Sequence, residues 1–137
     1  MAALSFLSKN VYNRELALFY ADHEIHQATA VELARREFEV RRDLYTQDAL
    51  AWTLFKNGRS KEGMEAARGL EGFKVQDPLM LYHLGMICQG VGERERSRRY
   101  LETALAINPH FHIFYADHAR EVLNRPMLKT ENSMASQ

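Results

Sequence analysis

Leu16, Leu50 and Leu84 stand 34 residues apart, and His118 falls at the next step. The same step aligns Ala17, Ala51, Gly85 and Ala119, and then Tyr20, Leu54, Cys88 and Val122. Gly58 and Gly92 share it, as do Thr29, Gly63 and Ser97, and Leu33, Ala67 and Leu101. A large apolar residue followed by a small one lets a paired helix approach closely, and a small residue early in the second helix meets it. Helix pairs that cannot bury their apolar faces alone must stack on their neighbours. This period constrains the fold more than any other feature of the chain.

The segments between columns read as helices. Only Pro78, Pro109 and Pro126 interrupt 137 residues, and apolar residues recur at three- and four-residue spacing, as in Leu81, Leu84, Gly85 and Cys88. No stretch alternates as a strand would. Asp77-Pro78 forms an N-cap followed by proline at the first helical position. Asn57-Gly58 and Gly90-Val91-Gly92 are helix stops. Thr46 serves as a further N-cap, with Asp48 set against the helix dipole in the first turn. Helices are expected at about 11–23, 26–43, 46–57, 60–73, 78–91, 93–107 and 111–124, with short connections and antiparallel neighbours. The fold class is all-α.

Composition removes several function classes. Eighteen basic and eighteen acidic residues cancel, which argues against a nucleic-acid binder. A single cysteine, Cys88, can form neither an internal disulfide nor a Cys-rich zinc site; it falls in an apolar column and reads as a buried small hydrophobe. No apolar run approaches the length of a membrane span, and the first residues make a poor signal peptide, which favours a cytoplasmic location.

The best unit, Leu81 to Pro109, resembles the tetratricopeptide repeat family, through Leu84-Gly85, Gly92, Ser97, Leu101, Ala104 and Pro109. The unit at 44–77 keeps Leu50-Ala51, Gly58, Gly63, Ala67 and Leu70 but lacks the closing proline. The unit at 10–43 keeps Leu16-Ala17 and Tyr20, while Glu24 takes the turn-glycine column and Arg36 the late-alanine column. The segment from Arg41 to Trp52 and the ending Asn108 to Phe111 look like a bacterial branch of the family. The resemblance implies an α-α superhelix of three helix-turn-helix units (about 10–43, 44–77 and 78–109) and a cap helix at 111–124. A leader at 1–9 and a disordered tail at 125–137 flank this 10–124 domain.

In that family the first helix of each pair lines a concave groove that takes a partner peptide, or the repeats assemble oligomers. Carried over, the groove residues are Arg14 and Leu18; Asp48, Trp52, Phe55 and Lys56; and Tyr82, His83, Met86 and Gln89. Trp52 is the expected hot spot, because aromatic side chains bury much area for few lost rotamers. The alternative for Trp52 is packing between units. Chaperone-binding members clamp a terminal carboxylate with Lys, Arg and Asn, but here those positions hold Asp48, Ala49, Tyr82 and His83, so an apolar or mixed peptide is expected. The function implied is a non-catalytic protein-interaction scaffold. The alternative is self-assembly through an end face carrying Phe114, Tyr115, Val122 and Leu123.

Other clusters carry plain explanations. Arg35, Arg36, Arg41 and Arg42, and Arg94, Arg96, Arg98 and Arg99, interleave with glutamates at spacings such as Glu32–Arg36 and read as solvated, ion-paired faces, each pair adding roughly 0.2–0.5 kcal/mol. His23-x-x-His26 and His110-x-His112 lack the further ligands a metal site requires. No phosphate loop, nucleophile elbow or catalytic carboxylate pair occurs. Neither metal, cofactor, nucleic acid nor membrane insertion is expected.

Overall fold

The computed structural model describes residues 13–126, so the expected leader and nearly all of the expected tail lie outside the described residues. Among the described residues the chain is all-helical and contains no strand. A first helix, α1, covers 13–22. There follow α2 (Gln27–Val40), α3 (Leu44–Lys56), α4 (Ser60–Arg68), α5 (Pro78–Gly90), α6 (Arg94–Ile107) and α7 (Tyr115–Asn124). None of these helices is long and apolar enough to cross a membrane.

Three turns repeat one hydrogen-bond pattern. After α1, Glu24 N donates to Ala21 O and Ile25 N to Tyr20 O, at 3.2 and 3.0 Å. After α3, Gly58 N donates to Phe55 O and Arg59 N to Leu54 O, at 3.0 and 2.9 Å. After α5, Gly92 N donates to Gln89 O and Glu93 N to Cys88 O, at 3.1 and 2.9 Å. The longer-range bond of each pair lands on the Tyr20, Leu54, Cys88 column. Each turn needs one left-handed residue to return the chain along the helix it has just left. Gly58 and Gly92 supply it at φ 78° and 85°, and Glu24 is forced to φ 55° in the same role. The turn therefore survives in the first unit although its glycine does not.

These turns fold α4 back onto α3 and α6 onto α5, and both pairs pack extensively. The small columns set how close they come. A Cβ at Gly63 would stand 3.0 Å from Ala51 O and 3.1 Å from Phe55 N, so the backbones of α3 and α4 nearly touch there. A Cβ at Gly85 would stand 2.7 Å from Leu101 Cδ2. Alpha-3 and α5 also touch, which joins one pair to the next. Ala17, Ala30, Ala34 and Ala49 bring α1, α2 and α3 together in a small core, and a larger core runs from α3 to α7 around Trp52, Leu81, Ile87 and Leu101.

Helix ends differ from expectation where local side chains decide them. Alpha-3 begins two residues before the expected 46, because Asp43 is the N-cap and its carboxylate accepts from Thr46 N at 2.9 Å. The Thr46 hydroxyl instead donates to carbonyls of Arg41 and Asp43. Asp48 is accordingly a second-turn residue facing the core, not a first-turn dipole partner. Alpha-2 stops at Val40 because Arg41 is extended. Alpha-4 stops at Arg68, well short of 73, as the chain enters Gly69 and a series of turns; Gln47 Nε2 reaches across to Ala66 O at 2.8 Å and satisfies a last-turn carbonyl. Alpha-7 starts at Tyr115 instead of 111, where His112 Nδ1 accepts from Phe114 N and Tyr115 N, both at 3.1 Å. The expected start of α5 at Pro78 is observed, with Asp77 accepting from Leu79 N and Met80 N at 2.9 and 3.3 Å.

Candidate functional site: an aromatic inner face

Of the residues expected to line a groove, Trp52 and Phe55 from α3 and Tyr82 and His83 from α5 come together. They form a packed ladder of rings. Trp52 stacks on His83 with centroids 4.1 Å apart, and its ring lies 5.5 Å from Phe55 and 6.0 Å from Tyr82. Tyr82 stacks on Tyr115 at 4.6 Å, and Tyr115 on His112 at 4.3 Å. The ladder thus runs from α3 through α5 to the start of α7.

Asp22, in the last turn of α1, ties its two ends together. Its Oδ1 accepts from Trp52 Nε1 at 2.9 Å and from the Tyr115 hydroxyl at 2.8 Å. A residue of the first helix is thereby bonded to one of the last, 93 positions away. The Tyr82 hydroxyl meets His118 Nδ1 at 2.7 Å. Burial raises the ionisation of both phenols well above the usual tyrosine range. For Tyr115 the bond to Asp22 adds to this, and for Tyr82 the Asp22 charge does. Both hydroxyls are protonated hydrogen-bonding groups at any ordinary pH.

Beneath the rings lies a buried polar pair. His83 Nδ1 donates to Asp48 Oδ1 at 2.8 Å, and their side chains are 2% and 4% exposed. A carboxylate can be buried when a hydrogen-bonded partner answers it, and Trp52 covers the ring of that partner. At the edge of the ladder Lys56 Nζ pairs with Glu24 Oε1 at 2.8 Å and stands 5.8 Å over the Trp52 ring. The hydrogen bond from Lys56, followed by its charge, holds the Glu24 carboxyl below the usual range.

This arrangement corrects the groove as read from sequence. Trp52, Asp48, Tyr82 and His83 are buried, at 2 to 3% exposure, and are core rather than a free surface. The reason is volume: four aromatic rings and an imidazole converge where an open groove would need short side chains. Leu18, Phe55, Lys56, Met86 and Gln89 are half-buried, and so is Arg14, whose guanidinium lies 5.2 Å from the Tyr45 ring. The expected end face is corrected as well. Val122 is buried, while Tyr115 and Leu123 pack against the main core. Phe114 alone of that set is strongly exposed, at 71%, beside Ile113 at 80%.

Asp22 and His118 were not legible as part of the site. His118 carried a signal, being the polar residue in a column of leucines. Asp22 carried none, because its partners are set by how α7 returns to α1. Cys88 is buried, and burial pushes its thiol up to about 11, so it is not a ready nucleophile. His23, His26 and His112 are spent on local contacts: His23 stacks on Phe19 at 4.1 Å, and His26 meets the Tyr20 ring edge-on at 5.0 Å. Among the described residues no group of three metal-ligating side chains converges.

No protein-family model matches the chain, and no curated protein or solved structure matches it.

Proposed function

We propose that this chain is a tetratricopeptide-like helical-repeat module that serves, without catalysis, as a scaffold for a protein or peptide partner. The observation that supports this most is the turn pattern. Three helix pairs close with the same two hydrogen bonds in a 34-residue register, and the first does so with a strained glutamate in place of glycine. Repetition of that kind belongs to stacked hairpins, whose use is to present a long surface to another chain.

The partner surface in this reading is the mouth of the inner face, not its floor. Leu18 and Met86 flank Trp52 in one column of the repeat, and Phe55, Lys56 and Gln89 follow a turn later. All five are half-buried, and together they offer apolar contacts with one cation and one amide. The ladder beneath holds them rigid, which limits the ordering entropy lost on binding. Partner capture by the full chain, compared with Met86→Glu and Lys56→Glu, tests this. The same partner should be retained by the parent and lost from both variants, with the far-UV circular dichroism of all three alike. Equal retention by the variants would contradict the reading.

Exposed Ile113 and Phe114 favour a second reading, self-assembly, because two adjacent large apolar residues at 80% and 71% exposure are unusual for a monomer surface. Sedimentation of the same preparation at two concentrations separates the two: a mass that grows with concentration selects assembly, and a constant monomer mass removes it.

A further inference from the structure

A cavity of about 380 Å³ opens between the first turn of α6 and the end of α7. Arg94 and Arg98 from α6 and Arg125 just after α7 line it, with Gln89 from α5. Val122 and Pro126 give it an apolar wall. Small-molecule sites combine an apolar wall with convergent polar groups in this way.

Two observations give the cavity a chemical sign. The positive sign comes from Arg98. Arg98 is half-buried, and no carboxylate partners it among the described residues. Arg125 keeps one solvent-exposed partner, Glu121, at 3.1 Å. Glu93, the N-cap of α6, makes no side-chain cap bond, and its carboxylate is drawn aside by Arg96 at 2.8 Å. The uncapped first turn adds its own partial positive charge, offset in part by Glu95 in the same turn.

Independently, Ser97 lines the same cavity, is 2% exposed, and its Oγ has no hydrogen-bond partner among the described residues. Helix packing demands only a small side chain here. The repeat-mate of Ser97 is Gly63, and the close neighbour across the helix pair is Gly85, where an added Cβ would stand 3.3 Å from Ser97 O. The hydroxyl is thus superfluous to the fold and costly to bury unanswered. A ligand oxygen would answer it.

We propose that this cavity binds a phosphate monoester of a small apolar group. The phosphate would lie among Arg98, Arg125, Ser97 and the start of α6, and the organic body against Val122 and Pro126. A dianion with three acceptor oxygens matches several guanidinium donors and a hydroxyl better than a carboxylate does. The volume exceeds what inorganic phosphate alone would fill.

Titration calorimetry on the full chain with phenyl phosphate, inorganic phosphate and phenol tests the site. Phenyl phosphate should bind saturably and more tightly than either part alone. Arg98→Gln should weaken it roughly tenfold or more, since a charged hydrogen bond is lost, and Ser97→Ala by a smaller factor. Ser97→Ala keeps the small side chain the helix pair requires, so its fold should be intact by circular dichroism. Absence of saturable binding would overturn the proposal. So would phenol binding as well as phenyl phosphate, or an affinity unchanged in a folded Arg98→Gln.

Discussion

Trp52→Ala should destabilise the protein by about 3–5 kcal/mol, the range for removing a large aromatic from a packed interior. Trp52 is 2% exposed and touches the rings of Phe55, Tyr82, His83 and Tyr115. Its removal would leave a void that these rings can only partly fill, because three of the four are fixed by a second partner: His83 by Asp48, Tyr82 by His118, and Tyr115 by Asp22. The lost bond from Nε1 matters less, since Asp22 is exposed and water can replace the indole. Urea unfolding followed by far-UV circular dichroism reads the effect as a lower midpoint at an unchanged slope. If Trp52 were instead a free groove residue, the change would stay under about 1 kcal/mol and only binding would suffer.

Asp48→Ala is expected to be the next most damaging change. It strands the His83 ring nitrogen at 2% exposure with no acceptor, a loss of about 1–3 kcal/mol. The interaction is best isolated by a cycle with His83→Phe, which keeps a ring against Trp52 but has nothing to donate. The double variant should be more stable than the sum of the single changes predicts, by about 1 kcal/mol or more, because removing both partners leaves no polar group buried alone. Additive single effects, measured by the same urea titrations, would mean that Asp48 and His83 act independently.

The repeat was legible because it is a local matter repeated three times. A glycine at Gly58 or Gly92 closes a helix whatever lies elsewhere, and a small residue at Gly63, Ser97 or Gly85 is needed wherever two helices touch. The turn at Glu24 shows the limit of that logic: the backbone takes the left-handed form even where the preferred residue is missing. The starts of α3 at Leu44 and of α7 at Tyr115 were misplaced because the side-chain geometry of Asp43 and His112, which a sequence does not display, decides where each helix is capped. The inner face was legible as a set of residues and not as a state. Trp52, Tyr82 and His83 do share a face, but whether that face is open depends on Tyr115 arriving from α7 and Asp22 from α1. Contacts across 93 residues leave no pattern in a 34-residue period.

The single tryptophan makes the central claim, that the inner face of the repeat is a closed aromatic core, directly measurable. Iodide quenching of Trp52 fluorescence in the folded full chain should be weak, and the emission blue-shifted, with both changing to exposed values only through the unfolding transition. A red-shifted emission readily quenched by iodide under native conditions would show an open groove and contradict the account.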